Sequence, residues 1–174
     1  MKFSIDKALK ILQQTPDTLI SFLENVSDEW IYANEGKDTW SAFDIVGHLI
    51  HGEKTDWIPR LHIILNEDNK SFEPFDRFAQ FENSKGKTMI ELLKEFQNLR
   101  AQNIVHLNIL KLTNEQLELT GIHPEFGQVT IKELLATWVT HDLGHIAQIA
   151  RVLAKQYKTE FGPWEAYISI LKKQ

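Results

Sequence analysis

Four stretches of the chain repeat apolar residues every three or four positions, and each begins at a residue suited to starting a helix. That period gathers a segment's apolar side chains into one stripe, which has to be buried against the stripe of another helix. The first stretch runs through Ile5, Ala8, Leu9, Ile11 and Leu12, and continues with Leu19, Ile20, Phe22, Leu23 and Val26. Thr15-Pro16 between them is expected to restart the helix, with Thr15 as cap and Pro16 in the first position. The second opens at Trp40-Ser41-Ala42-Phe43-Asp44, where Ser41 and Asp44 form a carboxylate variant of the capping box, and carries Ile45, Val46, Leu49, Ile50 and Trp57. Pro59 is expected to kink that helix or end its regular part. Capping boxes at Thr88-Met89-Ile90-Glu91 and Thr130-Ile131-Lys132-Glu133 launch the third stretch, to Leu110, and the fourth, to about Tyr157.

The connections are mostly short. Ser27 to Trp30 reads as a cap and turn, Thr113 to Leu119 as one short helix, Gly121 to Gln128 as a turn, and Trp164 to Leu171 as a last short helix. Residues 66–87 are longer and polar, yet hold Phe72, Phe75, Phe78 and Phe81. A solvated loop has little use for four such rings, so this segment is expected to fold back over the core. Alternating β-branched runs and Asn-Gly turns are absent. The expectation is one all-α domain over 1–174, a four-helix bundle with short accessory helices.

Composition narrows the function. The net charge is −5 and Lys and Arg form no run, which removes the basic stripe a nucleic-acid binder needs. No apolar run approaches a membrane span and no signal-peptide core opens the chain, so a cytoplasmic protein with no membrane partner is expected. There are no cysteines, so any metal site must use His, Asp or Glu.

His141 and His145 lie four apart in the fourth stretch, hence on one side of a helix, where two neutral imidazoles can share a divalent ion. Five other histidines are available as a third ligand. By periodicity alone His48 falls with Asp44, His51 and Thr55, away from the apolar stripe, on what reads as a solvated face. His51 and His62 are read as solvated, His106 as a satisfied core or surface residue, and His123 as serving its turn.

Trp40-Ser41, then Ile45-Val46-Gly47-His48-Leu49, then His141-Asp142-Leu143-Gly144-His145-Ile146-Ala147-Gln148-Ile149, resemble in order and spacing the DinB-like superfamily. The resemblance covers nearly the whole chain; Thr15-Pro16, His123-Pro124-Glu125-Phe126-Gly127 and Gly162-Pro163-Trp164 also fit. It implies an up-down-down-up bundle with one long crossover, frequent homodimers, and a divalent ion held by His48, His141 and His145. The ion would be a transition metal such as zinc, nickel or iron. Members include metal-dependent hydrolases and thiol-dependent transferases, so the resemblance implies a small-molecule substrate and, for transfer, a low-molecular-weight thiol. Asp44 is read first as a helix cap and second as an acceptor for a ligand ring N–H; Gln148, one turn after His145, is a second acceptor candidate. Glu53 is the nearest carboxylate for a general base. Two rival readings stand beside the enzyme: a dimeric bundle that holds metal or ligand without turnover, and three histidines satisfied by hydrogen bonds alone.

Overall fold

The computed structural model describes residues 1–172. In chain order it contains α1 (Ile5–Leu23), α2 (Asp28–Ile31), α3 (Ala42–Thr55), α4 (Trp57–Asn66), α5 (Ala79–Ser84), α6 (Met89–Leu110), α7 (Asn114–Leu117), β1 (Thr120–His123), β2 (Gly127–Thr130) and α8 (Ile131–Lys155). Two 3-10 turns, Gly162–Tyr167 and Ser169–Leu171, stand where a last short helix was expected. The capping boxes at Ser41, Thr88 and Thr130 all form, each side-chain oxygen taking one backbone N–H while the acidic partner takes another.

Two apolar clusters fix the direction of every long helix. One holds Leu19 and Leu23 of α1, Ala42 to Ile50 of α3, Met89 to Phe96 of α6, and Ile149 to Leu153 of α8. The other holds Leu9 and Leu12 of α1, Trp57 to Ile64 of α4, Ile104 and Leu107 of α6, and Ile131 to Trp138 of α8. Thus α1 and α8 run one way, while α3–α4 and α6 run the other. The order is up-down-down-up, and the connection between the two parallel middle helices, residues 67–88, is the long crossover.

Three expectations are corrected. Thr15-Pro16 does not restart α1, which continues through Pro16. A proline there removes the N–H that would bond Leu12 C=O. The freed carbonyl instead accepts from Arg100 Nη1 at 2.8 Å, so the lost bond is replaced from α6. The turn at 121–128 is the tip of an antiparallel hairpin, registered Thr120↔Thr130 to His123↔Gly127. Crossover residues secure it: Ile122 N–H donates to Lys70 O at 2.8 Å, and Phe72 N–H to Ile122 O at 2.9 Å. Gly121 permits this, since a Cβ there would stand 2.6 Å from the Phe72 ring. The crossover packs back only in part. Phe72 is buried and Phe75 half-buried, whereas Phe78 and Phe81 face solvent.

Near Pro59 the regular helix breaks three residues early, at Asp56 (φ −111, ψ −70), leaving Pro59 in the first turn of α4, where no N–H is required. Among the described residues no helix is long and apolar enough to cross a membrane.

Candidate metal centre

The two apolar clusters are separated by a buried polar layer built on Arg100 of α6. Its Nη1 donates to Asp142 Oδ2 of α8 at 2.6 Å and to Leu12 O of α1; its Nη2 donates to Glu53 Oε1 of α3 at 2.8 Å and Asp142 Oδ1 at 3.0 Å. One guanidinium therefore touches all four long helices. Burial disfavours its charge, but Glu53 and Asp142 outweigh that and raise its pKa above the ordinary value. Asp142 is fully buried, and it separates the two histidines of α8. Held inward by Arg100, it fixes the rotation of α8 that presents His141 and His145, one turn apart, on the adjoining face of the helix.

There they meet His48. His48 Nε2 lies 3.0 Å from His141 Nε2, which lies 3.1 Å from His145 Nε2. All three ligand atoms fall within 4.8 Å of one another. Two of the far nitrogens are held: His48 Nδ1 pairs with Gln80 Oε1 at 3.0 Å, and His145 Nδ1 with Gln148 Oε1 at 2.8 Å. With amide oxygens facing them, both Nδ1 atoms carry the proton, which leaves the Nε2 lone pairs pointing inward. His141 Nδ1 is buried with no hydrogen-bond partner. At most one proton, on His141 Nε2, is then left for the two Nε2 contacts: it can complete one linear hydrogen bond and not two, and with that proton on Nδ1 both contacts set lone pair against lone pair. A cation at the point of convergence removes that conflict, and three neutral imidazoles are the donor set such an ion takes. Burial and the neighbouring rings push the His48 pKa down to about 4 and that of His141 to about 3; burial also lowers that of His145. All three rings are neutral at pH 7.

The local fold explains each position. His48 and His51 are 8% and 7% exposed, not solvated as periodicity suggested, because the crossover covers the outer face of α3. Gly47 lets α5 approach: a Cβ at this position would stand 2.5 Å from Ser84 Oγ. That approach delivers Gln80 to His48. The Trp40 ring centroid is 4.9 Å from that of His48; Phe75 is 5.3 Å from His48, and Trp57 is 5.1 Å from His141. The loop bearing Trp40 is moored by Arg151 of α8, whose Nη2 donates to Glu35 Oε2 at 2.7 Å. Beyond His141 opens a cavity of about 520 Å³, walled by α4, the crossover, the hairpin tip and α8.

Two expected residues lie elsewhere. Asp44 spends its carboxylate on the α3 cap, accepting from Ser41 N–H at 2.9 Å and Ser41 Oγ–H at 2.6 Å, and the acceptor beside His48 is Gln80. Glu53 is locked in the polar layer by Arg100, by Asn103 Nδ2 at 3.0 Å and by Trp138 Nε1 at 2.9 Å, which leaves it no role as a mobile base. Gln148 faces His145. His62 is half-buried, His106 exposed, and His123 Nδ1 accepts from the Glu125 and Phe126 N–H groups of its turn.

The DinB superfamily model matches residues 11–149. The chain belongs to the DinB superfamily. Among curated relatives it is 24% identical over 150 residues to YfiT of Bacillus subtilis (strain 168), provisionally named a metal-dependent hydrolase, covering 84% of this chain and 83% of that one. A Bacillus cereus (strain 03BB102) protein with the same provisional name is 22% identical, covering 83% of each. The solved structure of B. subtilis YfiT, described as a four-helix bundle of unusual topology, superposes with a TM-score of 0.76 at 25% identity, over 88% of this chain and 87% of that one. A second four-helix bundle, TT2238, superposes with a TM-score of 0.56 at 18% identity, over 84% and 98%, and speaks to the fold alone. The bundle and the convergence of histidines thus sit in a DinB chain whose relatives carry a metal in their names.

Proposed function

We propose that this protein is a metal-dependent hydrolase of small molecules, in which His48, His141 and His145 hold one divalent transition-metal ion. The observation that carries the reading is the convergence of three neutral Nε2 atoms with two of the rings held from behind by amide oxygens. An ion held by three imidazoles supplies Lewis acidity, polarising a carbonyl or phosphoryl oxygen and lowering the pKa of water at its open position to about 7. The rest falls to the chain's own residues. Gln80 and Gln148 fix ring orientation and tautomer, while Trp40, Phe75 and Trp57 keep bulk water off the rings. The cavity beside His141 gives a substrate its approach.

The test is a turnover screen with activated esters, amides and phosphoesters, using untagged protein loaded in turn with zinc, nickel or iron(II). Turnover that falls at least about 100-fold in His48→Gln, His141→Gln and His145→Gln supports the reading. Turnover that survives these substitutions, or a fully loaded protein inert to the whole panel, contradicts it. The same screen with an added low-molecular-weight thiol separates hydrolysis from transfer: products that form only with thiol, and carry it, assign transfer instead.

A further inference from the structure

The cavity beside His141 carries information about the substrate that the triad does not. One wall is a single face of α8, on which Glu133, Thr137 and His141 follow at four-residue steps and lead to the triad. Aromatic rings recur along the other walls, with Asp56, Arg60, Arg77 and Glu125 between them. Trp57 stands edge-on to His141 and Phe75 to His48. At the far end Phe72 stands edge-on to His123, which stacks on Phe126 with centroids 4.5 Å apart. Phe126 is 74% exposed at the hairpin tip, a large ring left in water at the cavity's rim.

The buried charged groups of the cavity are paired. Arg60 is buried and pairs with Asp56, and its guanidinium lies 5.1 Å over the Phe72 ring. Arg77 faces Glu125 across 3.9 Å at the surface. Glu133 Oε2 takes the Thr130 N–H and hydroxyl at the start of α8, where the helix dipole offsets its charge. The buried charges are paired and the exposed Arg77 and Glu125 offset one another in net charge, so the walls favour no one sign of charge, whereas rings line the path from rim to triad.

Resting on the proposed hydrolase reading, we infer that the substrate has a flat, uncharged, aromatic or otherwise unsaturated body, seated between Phe75, Trp57 and Phe126, with its reacting group at the His48–His141–His145 centre. About 520 Å³ accommodates one or two fused rings with a short linker. The body supplies binding by ring burial and edge-to-face contact, and the triad supplies the chemistry.

Cobalt(II)-loaded, untagged protein tests this without turnover, because visible absorption reports a ligand reaching the metal. The probes are imidazole, 1-phenylimidazole and 4-phenylimidazole (two exit directions for the ring), and the para-carboxylate of the tighter phenyl compound. The inference predicts that one phenyl isomer binds at least about tenfold tighter than imidazole, since burying the ring exceeds that factor. It also predicts that the carboxylate adds nothing, and that Phe126→Ala shrinks the phenyl advantage while Phe81→Ala, outside the cavity, preserves it. Equal affinities for imidazole and both phenyl isomers overturn the aromatic body, and a tenfold gain from the carboxylate overturns its neutrality. In both cases the response to imidazole itself keeps the metal reading intact. A protein that retains no cobalt overturns the proposed function and this inference together.

Discussion

His141 is the member of the triad whose far nitrogen has no partner, so Gln80 and Gln148 hold the other two rings in place. Gln80→Ala or Gln148→Ala should weaken metal binding roughly 10- to 100-fold and leave the fold intact, as competition with a chelating dye would measure. Unchanged affinity in both would mean that packing alone orients the rings. Protonation gives a second check. The His48 and His141 pKa values lie at about 4 and about 3, below the ordinary 6.5 that the unfolded chain recovers. As pH falls below 6.5 the unfolded chain takes up protons that the folded one refuses, so metal-free protein loses stability down to about pH 4 and little more from these rings below pH 3. Urea unfolding of chelated protein should show this loss, roughly a few kcal/mol, and the His48→Gln, His141→Gln, His145→Gln triple variant should lack most of it. Equal pH slopes in the two proteins would contradict the assignment. His141 and His145 were legible from their spacing. His48 was legible only through the family pattern, because its periodicity ignores the crossover that buries it. Gln80 gave no signal at all: it arrives from a six-residue helix outside the bundle.

At the scale of elements, Arg100 decides how the helices meet. It joins α1 at Leu12, α3 at Glu53 and α8 at Asp142 between two apolar clusters. Replacing Arg100 by Met leaves two buried carboxylates without their cation, and should cost about 3–5 kcal/mol in urea unfolding. Adding Glu53→Gln and Asp142→Asn to that variant should recover part of the loss, since neutral amides are cheaper to bury. A loss below about 1 kcal/mol in the single variant would show that the apolar clusters alone set the packing. Capping boxes and apolar stripes made the long helices readable, because both signals are local. The hairpin at Thr120–Thr130 was not readable, since its pairing leans on Lys70 and Phe72 across the chain. Nor was the continuity of α1 through Pro16, because the group that satisfies Leu12 O lies 88 residues away.

At the scale of the whole molecule, the up-down-down-up order is what brings a histidine from α3 against two from α8 and leaves the crossover free to cover them. The family resemblance implies frequent homodimers, and we propose that this chain pairs too: the exposed Trp164 and Tyr167 near the C-terminus are apolar surface such pairing would cover. Sedimentation should give twice the mass of the chain, and Trp164→Glu should reduce it; a monomer at tens of micromolar would contradict pairing. Everything functional still depends on the triad holding an ion. The most direct measurement is the metal content of untagged protein by mass spectrometry, beside His48→Ala, His141→Ala and His145→Ala. The account predicts close to one equivalent of a divalent transition metal in the wild type and loss of most of it in each variant. A wild-type protein that stays metal-free after incubation with zinc and nickel, or variants that keep their metal, would contradict it.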